Sequence, residues 1–167
     1  MKLIKQFDET DCGAACLAML ASHFGSHLSI TKIREVAGTD REGTSLKGML
    51  EAAKKLNLDA KAVKGSGQIF SKKFPVPLVA HLQYQNGNNH FVVIAKINEI
   101  RVWIYDPALG KISYKKEDFL KIWSGYLMLV SPTPDFVIQK DGHALISIST
   151  VISAQVIATH IVLTTVL

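Results

Sequence analysis

A change of texture at Leu58 divides the chain and dictates its fold class. Up to that point apolar residues recur at helical spacing; beyond it they come in short runs rich in β-branched and aromatic side chains. In the first part, Cys12, Cys16, Met19, Leu20 and Phe24 mark a buried helix that begins at or just after Asp11 and is closed by Gly25. Ser29 and Gly38 read as cap and stop of a second helix over ITKIREVA, and Ser45 starts a third in LKGMLEAAKKL. In the second part, LDAKAV, PLVAHLQ, FVVIAKI, RVWIYD and KISY read as strands, KKEDFLKIW as a helix and GYLMLVS as a final strand. The turn NGNN, Asn86 to Asn89, signals a hairpin. Helices first and antiparallel strands afterwards make an α+β fold, with N-terminal helices packed on an antiparallel sheet.

At 167 residues, 48% of them apolar and 20% charged, the chain has the length and balance of one globular domain with a short extension. Nineteen Lys and Arg against fourteen Asp and Glu give a net charge of +5, but the surplus is scattered in pairs such as Lys54-Lys55 and Lys115-Lys116. That is a solvated surface suited to acidic peptides or anionic membrane, not the basic stripe of a nucleic-acid binder. Cys12 and Cys16 are too few for a disulfide framework and lack the further ligands of a zinc site, so no metal or organic cofactor is expected and a reducing, cytoplasmic setting fits. The N-terminus has no signal-peptide run. All nineteen basic residues lie at or before Lys140, and the 24 residues from Ala144 to Leu167 contain no Asp, Glu, Lys or Arg. As a helix that stretch would be about 36 Å long, enough for a bilayer core, although its seven Ser and Thr suit lipid poorly. The expected division is a domain over 1–136, then a linker and apolar tail over 137–167 that is a candidate truncated first transmembrane segment; an ill-ordered tail and an additional soluble element are the other readings.

Four residues carry the candidate chemistry. Cys12 stands at the first turn of a helix, where free N–H groups and the helix dipole favour a thiolate, although cysteine is also a common core residue. Cys16, one turn deeper, reads as packing. Of the six histidines only His81 and His90 fall in the expected strands. A short turn centred on Asn98 would set His90 directly opposite Asp106, above an apolar floor of Val92, Ile94, Val102 and Ile104. A sheet-edge histidine beside an ordinary surface aspartate is the alternative, and a one-residue slip would break the pair. Gln6 can offer a side-chain amide to an oxyanion, as can the backbone N–H of Cys12. No GxxxxGK[ST], HExxH or CxxC is present.

Together, Gln6, DCGAACLAM (11–19), GTSLKG (43–48), HFVV (90–93) and DPALG (106–110) resemble the C39 cysteine peptidases over about residues 5–136. The resemblance implies a papain-like domain with Cys12 as nucleophile, His90 as base and acid, Asp106 as orienter of the imidazole and Gln6 as oxyanion donor. It further implies removal of a leader after a double-glycine motif from a bacteriocin or related secreted peptide, the partner being that precursor, held by a helix-in-groove contact. Members of the family continue into membrane helices and an ATPase domain of an exporter at the cytoplasmic face of the bacterial membrane, which this chain does not contain. A non-catalytic leader-docking module and a papain-like amidase or transferase are the competing functions.

Overall fold

The computed structural model describes residues 1–71, 75–140 and 143–147. Three helices lead: α1 (Cys12–His23), α2 (Ile30–Ala37) and α3 (Leu46–Lys55). Their ends follow local chemistry. The Ser29 hydroxyl accepts from Lys32 N–H and the Ser45 hydroxyl from Gly48 N–H, each satisfying a donor that the first turn leaves free. Gly38 closes α2 in the left-handed region at φ 64°.

A six-stranded antiparallel sheet follows, built from β1 (Leu58–Lys64), β2 (Leu78–Gln83), β3 (Asn89–Ile97), β4 (Arg101–Asp106), β5 (Gly110–Lys115) and β6 (Trp123–Pro132), with α4 (Lys116–Ile122) between the last two. The strand order is β1-β6-β2-β3-β4-β5. Alternation along the strands sends side chains to two cores. Val79, Phe91, Val93 and Met128 pack with α1, α2 and α3, whereas Val92, Ile94, Val102 and Ile104 pack on the other face with Phe70, Phe119 and Trp123. The expected α+β architecture of helices on an antiparallel sheet is the one observed.

The first helix is more central than its apolar stripe suggests, because every residue from Cys12 to Ala21 is buried. Small residues permit this. A Cβ on Gly13 would lie 2.9 Å from Thr44 Cβ and 3.1 Å from Met49 Sδ, so the bare glycine lets α1 sit against the loop that enters α3. Burial on all sides fixes the direction of the α1 N-terminus, where Cys12 stands.

Two strands lie beyond the expected set: β7 (Val137–Lys140) and β8 (His143–Ser147) pair as an antiparallel hairpin. Ser147 is therefore the last described residue of the candidate membrane segment 144–167, and residues 148–167 lie outside the described part of the chain. Among the described residues no helix is long and apolar enough to cross a membrane.

Candidate functional site

The turn NGNN forms as expected, with Gly87 at φ 85° and Gln83 paired with Asn89, so His90 enters β3 immediately after the hairpin. The β3–β4 register is a correction. Ile94 faces Ile104, not Val102, and Val93 faces Tyr105, a slip of two from the anticipated pairing. Its cause is the turn: Asn98 N–H donates to the Arg101 carbonyl at 3.0 Å and the Asn98 side chain accepts from Ile100 N–H and Arg101 N–H, so the chain reverses at Glu99 and Ile100. An irregularity between Ile94 and Lys96 absorbs the extra residue. A slip of two leaves every side chain on its face, so the apolar floor survives. Continued to the strand ends, this register puts Asp106 beside Val92, and His90 meets it diagonally.

They do meet. His90 Nε2 lies 2.9 Å from Asp106 Oδ1, with the His90 side chain 13% exposed and that of Asp106 1%. Asp106 Oδ1 also accepts from the backbone N–H groups of Ala108 at 2.8 Å and Leu109 at 3.1 Å. Burial is the largest influence on this carboxyl and pushes it up, but hydrogen bonds from His90, Leu109 and Ala108 hold it below its ordinary range. Cys12 is the second group, after Asp106, whose proximity favours the charged imidazole. Burial pulls the His90 pKa down and is its largest single influence; the Asp106 and Cys12 interactions outweigh it and raise the imidazole to about 9. The proton therefore resides on His90 at neutral pH.

Gln6 joins them. Its backbone N–H donates to the Pro107 carbonyl at 3.0 Å, one residue beyond Asp106, and its side-chain oxygen is buried without a hydrogen-bond partner among the described residues. Gln6, His90 and Asp106 line one cavity of about 690 Å³, with Tyr84 and Tyr114 in the same wall. A second cavity of about 440 Å³, lined by Thr44, Leu46, His81, Phe91 and Tyr126, shares Glu42 and Asn89 with the first. The cleft thus continues from the His90 rim past the loop that enters α3.

The other candidates fall outside this constellation. Cys16 is fully buried, and burial first, then the charges of Cys12 and Asp106, push its thiol well above the ordinary range. His81 Nδ1 is 2.8 Å from Ser124 Oγ and its ring packs on Phe91. Burial and, less, the charge of His90 hold His81 below its usual value. Among the described residues no group of three or more His, Cys, Asp or Glu could hold a metal ion.

Sequence reasoning passed over Asp11 and Arg34. Asp11 is wholly buried, and its carboxylate pairs with Arg34 Nη1 from α2, which also bonds Asp8 Oδ2 at 3.1 Å. An aspartate directly before a helix start is the one local signal that could have drawn attention to Asp11; an arginine 23 residues away carries none.

Comparison with known proteins gives the family and the fold. The family model of the peptidase C39 family matches residues 1–135. The lactococcin-G-processing and transport ATP-binding protein LagD of Lactococcus lactis subsp. lactis is 40% identical over 136 residues, which is 81% of this chain and 19% of that protein. The transport/processing ATP-binding protein ComA of Streptococcus pneumoniae is 30% identical over 139 residues, again 81% of this chain and 19% of the relative. The chain therefore spans about a fifth of the length of these relatives. Among solved structures, the peptidase domain of Streptococcus ComA, described as a bi-functional ABC transporter, superposes with a TM-score of 0.75 at 32% identity, covering 79% of this chain and 98% of that one. A double glycine motif protease from an AMS/PCAT transporter, solved in complex with the leader peptide, gives 0.73 at 28% identity, covering 79% and 91%.

Proposed function

The chain belongs to the peptidase C39 family, and from that premise we propose that it is a cysteine endopeptidase that removes the leader of a secreted peptide after a double-glycine motif, at the cytoplasmic face of a bacterial membrane and coupled to ABC-type export. The observation that carries the reading is the His90 ring, held on Nε2 by Asp106 in one cleft with Gln6, while Cys12 at the start of α1 is among the groups that favour the charged imidazole. A docking module needs the cleft and not this proton-holding pair.

The residues supply each step. Cys12 Sγ attacks the carbonyl carbon of the second glycine; a C–S bond forms and the C=O π pair moves to oxygen. The backbone N–H of Cys12 and the Gln6 amide are the donors for that oxyanion, and the α1 dipole favours negative charge there. Collapse of the adduct breaks the C–N bond, and the imidazolium of His90 gives its proton to the leaving amine. His90, now neutral, takes a proton from water as the water attacks the thioester, and loss of the Cys12 thiolate restores the enzyme. Asp106 holds the ring in the required tautomer throughout and stabilises its charge.

The direct test incubates the chain with the precursor of lactococcin G, the peptide that the relative LagD is named for processing, and locates the cut by mass spectrometry. Cleavage after a Gly-Gly pair is the expected result, slowed sharply by alanine at either glycine. Binding of the precursor without cleavage would transfer the reading to a docking module, and full-rate cleavage with valine at both glycines to a general papain-like amidase.

A further inference from the structure

The segment between Gln6 and Cys12 is held at both ends. At one end Gln6 is tied to Pro107, beside Asp106. At the other, Asp11 occupies the N-cap position of α1 yet makes no cap hydrogen bond to that helix. Its carboxylate turns back instead: Oδ2 accepts from the backbone N–H groups of Phe7 at 3.1 Å and Asp8 at 3.2 Å, and Oδ1 takes Arg34 Nη1. Asp8 receives the same Nη1 and caps the single 3-10 turn Glu9–Asp11 by accepting from Thr10 N–H. Among the described residues Arg34 is the one cation paired with Asp11, and Asp11 is completely buried.

We propose that Arg34 is a positioning residue for the reaction, setting through Asp11 and Asp8 the distance between the Gln6 amide and the Cys12 backbone N–H. The inference rests on the peptidase reading above. Its physical basis is that the two oxyanion donors belong to different kinds of structure. The Cys12 N–H is aimed by a helix packed on all sides, but Gln6 lies outside any helix or strand, so its place is set by its backbone bond to Pro107 and by the side-chain ties on Phe7 and Asp8, the residues that follow it. Asp11 supplies those ties, and a carboxylate buried this deeply is tolerable only beside a cation. Arg34 stands on α2, which packs on α1, so one rigid layer positions both donors.

The test compares wild type, Arg34→Met, Arg34→Lys and the charge-balanced Asp11→Asn/Arg34→Met, all folded by circular dichroism. Steady-state cleavage of a synthetic double-glycine precursor is read beside the rate at which iodoacetamide alkylates Cys12, located by peptide mapping. Alkylation needs the thiol and imidazole but no oxyanion hole. Arg34→Met is expected to lose about ten- to a hundredfold in kcat with KM little changed, the scale of a displaced oxyanion donor. Arg34→Lys should regain most of it, since an ammonium can meet the same carboxylates. The double variant should stay slow while its Cys12 alkylates at the wild-type rate. Wild-type turnover per alkylatable Cys12 in Arg34→Met would overturn the proposal, as would full recovery in the double variant, which would make the effect one of charge. Alkylation lost together with turnover in the double variant would move the role from the oxyanion donors to the thiol. A wild-type chain that alkylates normally but leaves the precursor uncut would overturn the peptidase reading and this inference with it.

Discussion

Asp106→Asn changes one charge and almost no volume, so it isolates what the carboxylate does for His90. The imidazole is raised from 6.5 to about 9, a difference worth about 3 kcal/mol between its two protonation states. Removing the Asp106 charge leaves burial, which lowers the value, against the Cys12 interactions alone, and the imidazole should fall back toward 6.5. At pH 8 a group at 9 is roughly nine-tenths protonated and a group at 6.5 only a few per cent, so protonation alone should cost roughly thirtyfold at that pH. The Asn side chain can also select the wrong ring tautomer, which adds to the loss. The assay is the pH dependence of kcat/KM for precursor cleavage: the alkaline limb, near 9 in the wild type, should move down toward 6.5, by about two and a half pH units. Stability shifts in the same window. Because the folded His90 value lies above the unfolded one, its contribution is complete below about 6.5 and disappears as pH rises through about 9. The Asp106 value is lowered, so its contribution is present above its ordinary 3.8 and is lost as pH falls through the depressed folded value. The loss of thermal stability in Asp106→Asn should therefore be greatest between these limits, at about pH 4 to 6.5. An alkaline limb that stays in place in Asp106→Asn would refute the idea that this carboxylate keeps the proton on His90.

Cys12→Ala should abolish cleavage and leave leader binding intact, whereas Cys16→Ser should keep turnover and lose about 1–3 kcal/mol of stability from a buried hydroxyl; a folded Cys16→Ser as inactive as Cys12→Ala would undo the choice of nucleophile. Gln6→Ala should slow kcat by about a hundredfold or more with KM little changed, and near-normal kcat would remove Gln6 from the site. His81→Ala should cleave at close to the wild-type rate, because His81 is engaged with Ser124 and Phe91, and a loss equal to that of His90→Ala would reopen the choice of base. Gly13→Ala should destabilise by about 1–3 kcal/mol in thermal unfolding, because the new methyl meets Thr44 in the loop that enters α3 and Met49 on α3.

Wherever one residue's chemistry acts on its immediate neighbours, the amino-acid order was enough. Ser29 and Ser45 start helices because their hydroxyls reach N–H groups three residues on, Gly38 ends one because it accepts a positive φ, and NGNN reverses the chain for the same kind of reason. Cys12, His90, Asp106 and Gln6 could likewise be singled out, because a helix start, a strand rim and an amide are local properties. What joins distant segments was decided only in three dimensions. The β3–β4 register moved by two because the Asn98 side chain bonds two backbone N–H groups and centres the reversal between Glu99 and Ile100, a slip of three beside the turn, of which the irregularity between Ile94 and Lys96 takes back one. The depth of α1 came from Gly13 meeting α3, a contact that no periodicity within α1 contains. The ion pair of Asp11 with Arg34 was invisible in the same way: a charge pair across 23 residues exists only once α2 lies against the start of α1, and until then each partner is one more solvated charge.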